Sequence, residues 1–191
     1  MNMQNLIKAE LKESADTLNL VAKHLVPRIE EAAHIMVEAL RAGHKILFFG
    51  NGGSAADSQH LTAELVGRYR KDRKSLPAIA LTCDTSILTA VGNDYGFELI
   101  FARQIEGLAE KGDVAFGIST SGNSRNVIEG LIKAKEKGCR TLGLLGCEGG
   151  RIAEICELSI IVPCKITPRI QECHITIGHI LCQLIEQELF E

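Results

Sequence analysis

The sequence predicts an α/β protein with a doubly wound, five-stranded parallel sheet flanked by helices and preceded by a helical pair. Short apolar runs such as KILFF and LSIIV are typical of strands buried on both faces of a parallel sheet. Each run is followed by a turn rich in Gly, Ser, Thr or Asp and then by an amphipathic stretch. This alternation of strand and helix indicates a sheet covered by helices on both faces.

The first 43 residues predict a helical extension ahead of a sheet domain of residues 44–191. Apolar residues at helical spacing form two stripes separated by Pro27, and the second stripe ends at Gly43. The two helices pack on the core of their own chain or also form an oligomer interface, and the sequence leaves both alternatives open.

Five strands and five helices are predicted after Gly43. The strands are 45–49, 78–82, 114–119, 141–145 and 158–162. The helices are 55–67, 85–91, 97–109, 125–137 and 168–189. Because ligands of such sheets bind beyond the carboxyl ends of the strands, the loops after the first and third strands are the expected binding loops.

Composition and charge narrow the class of protein. The chain of 191 residues has a net charge of -3, which disfavours a broad basic surface for nucleic acid. Its seven cysteines form no C-x-x-C motif and are odd in number, as in a reducing compartment. No secretory signal and no apolar run long enough to cross a bilayer is visible. We therefore expect a cytoplasmic protein with no membrane or nucleic-acid partner, for which a phosphorylated small molecule is a compatible ligand.

The first candidate loop is Gly50-Asn51-Gly52-Gly53-Ser54, which leads directly into a helix. Its glycines permit a tight turn and close backbone approach to a ligand, and the helix N-terminus offers free amides. The loop also fits the dinucleotide fingerprint G-x-G-x-x-A, but that site needs an acidic residue about 20 residues further on, after the second strand. Asp84 lies 34 residues beyond Gly50, so the fingerprint is poorly completed.

The second candidate loop follows the third strand and is rich in hydroxyl groups. A single Ser or Thr is enough to cap the next helix, and Gly122 would make the turn. Four hydroxyls at this place favour a cradle for a phosphate monoester instead. They belong to Ser119, Thr120, Ser121 and Ser124.

His60 and Glu64 are four residues apart on the helix after the glycine loop, so they share a face. This spacing also occurs by chance: His34 and Glu38 form the same pair on an N-terminal helix, where a solvated face explains them better. The neighbouring ligand loop distinguishes the first pair as a candidate site.

The last helix carries two histidines that cannot belong to one site. At about 100° per residue, Gln171 and His179 are only about 80° apart, whereas His174 and His179 are about 140° apart. The apolar neighbours of His179 also fit a core histidine, and the sequence alone favours that reading.

These motifs together resemble one family. The segments FGNGGSAADSQHLTAEL, VGNDYGF, ISTSGNS and RIQECHITIGHI are similar to those of the phosphoheptose isomerases, which belong to the sugar isomerase (SIS) superfamily. The resemblance covers essentially the whole chain. It implies interconversion of sedoheptulose 7-phosphate and D-glycero-D-manno-heptose 7-phosphate for bacterial heptose biosynthesis, in a homotetramer with active sites at subunit interfaces.

The resemblance also implies roles for individual residues. Glu64 and His179 would move protons between C1 and C2, although a Glu64 bound to metal is a poorer base. Several relatives carry Asp where this chain has Pro168, so any role of that Asp is absent or met by another group. The implied zinc ligands, for one ion per subunit, are His60, Glu64, Gln171 and His179. The implied substrate-binding residues are Asn51, Gly52, Gly53, Ser54, Asp94, Ser119, Thr120, Ser121, Ser124 and Gln171.

Two rival functions stay open at this point. A non-catalytic SIS protein that binds sugar phosphates or the bacterial replication initiator would share the loops, but Glu64 and His179 favour an enzyme. An oxidoreductase that binds nicotinamide ranks below both. The basic run 68–74 is expected to be a solvated loop, in which Arg68 could attract the anionic substrate.

Overall fold

A five-stranded parallel sheet lies at the centre of the computed structural model, which describes residues 2–190. The strands are β1 (Ile46–Gly50), β2 (Ala78–Ala80), β3 (Val114–Ser119), β4 (Arg140–Leu145) and β5 (Leu158–Ile161). Their order is β2-β1-β3-β4-β5, and every neighbouring pair is parallel. This is a doubly wound order whose direction switches at β1 and β3, and it confirms the predicted fold class.

Helices cover both faces of this sheet. They are α1 (Met3–His24), α2 (Val26–Arg41), α3 (Gly53–Val66), α4 (Thr85–Tyr95), α5 (Ile100–Leu108), α6 (Arg125–Glu136), α7 (Gly150–Ile155) and α8 (Thr167–Phe190). Within the described residues, no helix is both long and apolar enough to span a membrane.

The alternating side chains of β1 explain the two helical layers. Phe48 faces the core that contains α2, α3 and α8, and its ring lies 5.3 Å from that of Phe116. Phe49 faces the opposite core, where its ring lies 5.4 Å from that of Phe101 on α5. Because successive residues of a strand point to opposite faces, the unbroken run ILFF supplies both cores.

The two N-terminal helices have different surroundings. Helix α2 packs on the core of its own chain, with Ile29, Met36 and Leu40 buried. Helix α1 buries little, and Leu6 and Leu11 on it are exposed. The first of the two open alternatives therefore holds for α2, whereas much of the apolar surface of α1 lacks cover within the chain.

Several boundaries differ from the sequence prediction. Helix α4 continues to Tyr95, and the predicted helix 97–109 starts with a 3-10 turn over Phe97–Leu99. Gly96 separates them because its positive φ of 96° breaks the helical path. Helix α7 was not predicted.

Candidate active site

Three side chains from helices α3 and α8, which pack on the same face of the sheet, meet in one cluster. The Nε2 atoms of His60 on α3 and His179 on α8 lie 2.9 Å apart. Oε1 of Glu64 lies 3.2 Å from the same His60 nitrogen. One potential ligand atom from each of the three residues lies within 4.8 Å of the other two. The structure therefore joins the pair on α3 to His179, and the core reading of His179 was wrong.

This cluster fits a metal ion. Ligands of tetrahedral zinc, each about 2.0 to 2.1 Å from the ion, are about 3.3 Å from one another. The Nε2–Nε2 and Oε1–Nε2 separations of 2.9 and 3.2 Å are close to that value. Two imidazoles and a carboxylate are also donor types that zinc prefers. His60, Glu64 and His179 thus form a possible metal-binding group.

Gln171 lies one turn into α8 and packs against the start of α3. A Cβ atom on Gly53 would overlap the end of the Gln171 side chain, which would have to move to admit a larger residue there. The start of α3 and the first turns of α8 are therefore in contact. Pro168 lies exposed in the first turn of α8, where a missing backbone N–H costs no helical hydrogen bond.

His174 lies apart from the cluster, as its angle on the helix relative to His179 predicts. Its side chain is fully buried, and its Nε2 lies 3.0 Å from the carbonyl oxygen of Leu145 at the end of β4. Burial lowers the pKa of His174 to about 4, so the imidazole is neutral at physiological pH. It ties α8 to the sheet and takes no part in the cluster.

Asp57 is a partly buried acidic residue near His60 that the sequence analysis did not single out. It lies one turn before His60 on α3, and its Oδ2 is buried without a hydrogen-bond partner among the described residues. Burial raises the pKa of Asp57 to about 6, although the nearby His60 works in the opposite direction. The i, i+3 spacing from His60 was the available signal, but such pairs are too common to single out.

The glycine loop places Asn51 at the end of β1. The side-chain amides of Asn51 and Asn126 exchange two hydrogen bonds of 2.8 Å, which fix the loop against α6. Gly50 allows close strand packing, since a Cβ there would lie 2.7 Å from the Ile118 carbonyl oxygen. Gly52 has a positive φ of 54°, and Ser54 is buried in the first turn of α3.

The hydroxyl-rich loop is folded by its own side chains. The hydroxyls of Ser119 and Ser124 lie 2.9 Å apart, and the Gly122 amide donates to Ser119 Oγ at 3.1 Å. Ser121 is exposed and Thr120 half-buried. These hydroxyls lie together at the N-terminus of α6, as a phosphate cradle requires.

A cavity of about 180 Å³ opens beside the glycine loop, and Asn51, Gly52, Thr82 and Phe97 are among its lining residues. Asp94 lies in the last turn of α4, where it is exposed and accepts a hydrogen bond from Asn93. The structure thus leaves Asp94 outside the residues that line this cavity.

The basic run 68–74 is not simply solvated, as the sequence analysis expected. The side chain of Arg73 is only 3% exposed, and its Nε lies 3.3 Å from Glu186 Oε2 on α8. The local sequence could not predict that Arg73 is buried, because its partner Glu186 is more than a hundred residues away.

Comparisons with known proteins agree with this geometry. Residues 11–146 match the family model of the SIS domain. Phosphoheptose isomerase from Nitratiruptor sp. is 60% identical over 181 residues, which cover 95% of this chain and 97% of the relative. Phosphoheptose isomerase from Geotalea daltonii is 58% identical and covers 96% of each chain.

Solved structures show the same likeness. The phosphoheptose isomerase of Neisseria gonorrhoeae superposes with a TM-score of 0.93 at 43% identity, over 97% of this chain and all of that one. The enzyme of Francisella tularensis gives a TM-score of 0.95 at 36% identity, over 98% of this chain and all of that one. The whole chain, with its sheet, its loops and its His60–Glu64–His179 cluster, belongs to the phosphoheptose isomerase family of SIS-domain enzymes.

Proposed function

We propose that the protein interconverts sedoheptulose 7-phosphate and D-glycero-D-manno-heptose 7-phosphate, a step in bacterial heptose biosynthesis. The observation that carries this proposal is the meeting of a carboxylate, Glu64, with an imidazole, His179, where α3 and α8 pack together. Relatives that share more than half of the residues are named phosphoheptose isomerases.

The hydroxyl-rich loop would hold the phosphate group. Ser119, Thr120, Ser121 and Ser124 provide O–H donors, and the first amides of α6 add their partial positive charge. Such a cradle needs no cationic side chain, which suits a chain of net negative charge. The sugar would extend from there toward Asn51, Gly52, Gly53, Ser54, Asp94 and Gln171.

The isomerisation moves one hydrogen between two neighbouring carbons. Glu64 would remove the proton bound to carbon, and His179 would protonate the oxygen, which yields an enediol intermediate. The reverse transfers, to the other carbon and from the other oxygen, complete the change with all atoms balanced.

The donor set also supports a zinc ion, one per subunit, held by His60, Glu64, Gln171 and His179. When bound, zinc supplies a Lewis acid that polarises the substrate carbonyl. Glu64 has two oxygens, and Oε1 faces His60. The roles of ligand and base need not exclude each other, because Oε2 would stay available for the substrate proton.

We infer a cytoplasmic homotetramer in which the helical extension of residues 1–43 takes part in subunit packing. The exposed apolar residues of α1 support this assembly. A heptose phosphate site that neighbouring subunits complete would also explain the small size of the cavity beside the glycine loop.

Replacing Glu64 by Gln tests the proposed reaction. The amide keeps the size of the side chain but cannot accept the substrate proton, so we expect kcat to fall by about 10² to 10⁴-fold. Conversion of sedoheptulose 7-phosphate to the aldose phosphate is the measurement. Glu38→Gln on α2, where Glu38 is also four residues from a histidine, is the matched control and should keep full activity. Full activity of Glu64→Gln would overturn the assignment of the base, and an inactive wild type would favour a non-catalytic SIS protein.

A further inference from the structure

A buried ion pair joins α8 to the loop that follows α3. Glu186 is 1% exposed and accepts hydrogen bonds from the backbone amides of Arg70 at 3.1 Å and Lys71 at 2.9 Å. The Nε of Arg73 donates to the other carboxylate oxygen of Glu186, Oε2, at 3.3 Å. Burial alone would raise the pKa of Glu186, but these amides and Arg73 hold it below its ordinary value. The carboxylate is therefore charged and fixes the backbone of this loop.

Arg73 extends the connection to the last turn of α3. Its guanidinium donates to the carbonyl oxygens of Glu64 at 2.8 Å and Leu65 at 2.7 Å. These carbonyls belong to the helix end, where an arginine satisfies groups that have no partner within the helix. The residue that provides the candidate base is thus held at its backbone by Arg73.

Tyr69 brings the same loop into contact with the cluster. Its ring centroid lies 5.8 Å from that of His179, with an angle of 33° between the planes. His179 and Glu186 are seven residues apart and so lie within about 20° on one face of α8. The carboxylate that fixes the loop and the imidazole on which Tyr69 packs therefore share one helix stripe.

Fold stability alone explains this arrangement poorly. A buried ion pair contributes little net stability, because the loss of hydration of both ions offsets their attraction. Apolar side chains would fill the same space at least as well. The pair does supply a fixed geometry, since it fixes the loop at Tyr69 and the end of α3 relative to α8.

We propose that Glu186, Arg73 and Tyr69 form a positioning unit that holds His179 and Glu64 in the geometry needed for metal binding and proton transfer. None of the three is a catalytic residue, since each acts through another side chain or through the backbone. This inference rests on the proposed function, because it assigns how that same site is kept in order.

Two variants of Tyr69 test the contact with His179. Tyr69→Leu removes the ring, and we expect zinc affinity to fall about 10 to 100-fold, as is usual for the loss of groups that orient a ligand. We expect kcat to fall and KM to change little, because the hydroxyl-rich loop is untouched. Tyr69→Phe keeps the ring and should restore both values. Zinc affinity of the purified protein is measured by isothermal titration calorimetry, independently of activity.

Glu186→Gln tests the buried ion pair. Like Tyr69→Leu, it should weaken zinc binding and lower kcat. Its matched control is Asp113→Asn, since Asp113 is equally buried and accepts a hydrogen bond from the Lys45 ammonium group at the amino end of the sheet. The control should lower the melting temperature while zinc affinity and kcat stay at the wild-type values.

Three results would overturn the proposal. The first is wild-type zinc affinity and kcat in folded Tyr69→Leu and Glu186→Gln, and the second is an equal loss of zinc affinity in Asp113→Asn. The third is a failure of Tyr69→Phe to restore the two values. A wild type that binds zinc but isomerises no ketose phosphate would instead refute the proposed function, and the zinc affinities would still decide the positioning role.

Discussion

The partly buried carboxyl of Asp57 shows how one residue couples the stability of the protein to pH. Because burial raises its pKa from 3.8 to about 6, the folded state binds this proton more tightly than the unfolded state does. The free energy of unfolding therefore decreases as pH rises through this window, and the full destabilisation is present above the folded-state value. At neutral pH the charged Asp57 side chain therefore lowers the free energy of unfolding.

We expect Asp57→Asn to stabilise the metal-free protein at pH 7.5 by up to about 3 kcal/mol, the energy of a shift of about two pKa units. At pH 4 the difference should be small, because the folded wild type is then protonated. Urea unfolding at pH 7.5 and at pH 4 measures the difference in the free energy of unfolding between the variant and the wild type. His174 titrates in the opposite direction over this range, but it is present in both proteins and cancels in the difference. A variant less stable than the wild type at pH 7.5 would contradict this explanation.

Residue positions were predictable where helix geometry decides them. The angles along α8 correctly separated His174 from His179, because a rigid helix fixes directions from sequence alone. Burial of His179 was judged wrongly, since its apolar neighbours gave no sign of His60, 119 residues away. The burial of Arg73 was missed for the same reason, because its partner Glu186 is 113 residues away.

At the scale of elements, the strands were predicted best. Strand β3 has the predicted bounds, β1 is shifted by one residue at both ends, and the other three differ by one or two residues at one end. Their apolar runs end at turn residues, so local chemistry marks both limits. Helix α7 has only six residues and begins at Gly150, so it lacks the periodic pattern that reveals longer helices.

The hydroxyl-rich loop depends on a glycine that the sequence marked only as a turn. Gly122 has a φ of +68°, and a Cβ there would overlap the Gly149 carbonyl oxygen in the loop after β4. The loops at the ends of β3 and β4 are therefore in backbone contact. Asn123 strengthens this contact, because its Oδ1 accepts the Arg151 amide at 3.0 Å.

We expect Gly122→Ala to distort the phosphate cradle and raise KM for the sugar phosphate about tenfold or more. Strain at a positive φ should also lower stability by about 1 to 3 kcal/mol. Steady-state kinetics and urea unfolding measure the two effects. Gly107→Ala is the control, since a Cβ on that helical glycine would meet no atom within 4 Å. It should leave KM unchanged and raise stability by up to about 1 kcal/mol. An unchanged KM in Gly122→Ala would show that the loop does not hold the phosphate.

At the scale of the whole molecule, helix α1 presents more apolar surface than a monomer needs. Leu6, Ile7 and Leu11 are 49%, 53% and 67% exposed, and Met3 is 76% exposed. Contiguous apolar patches of this kind mark interaction sites. Arg169 holds α1 to the start of α8 through a 2.8 Å hydrogen bond to the Glu10 carbonyl, so subunit contacts on α1 would bear directly on the helix that carries Gln171.

The cavities at the two binding loops are both small. The cavity beside the glycine loop has a volume of about 180 Å³. A second cavity, which Asn51, Phe97 and Ser124 help to line, has a volume of about 270 Å³, and each is below the roughly 300 to 1,000 Å³ of typical small-molecule sites. We propose that neighbouring subunits add further walls for a heptose phosphate. Assembly and activity should therefore be lost together.

The double substitution Leu6→Ser/Leu11→Ser tests this link. Both side chains are exposed in the chain, so the fold should survive, but the apolar patch loses two large residues. We expect a smaller assembly in analytical ultracentrifugation at micromolar concentration, with native circular dichroism and a kcat/KM reduced at least tenfold. Lys12→Ser on the same helix removes a side chain that is 75% exposed and should change neither value. A variant that is monomeric but fully active would show that one chain completes the site, and a variant of unchanged mass would show that subunits meet elsewhere.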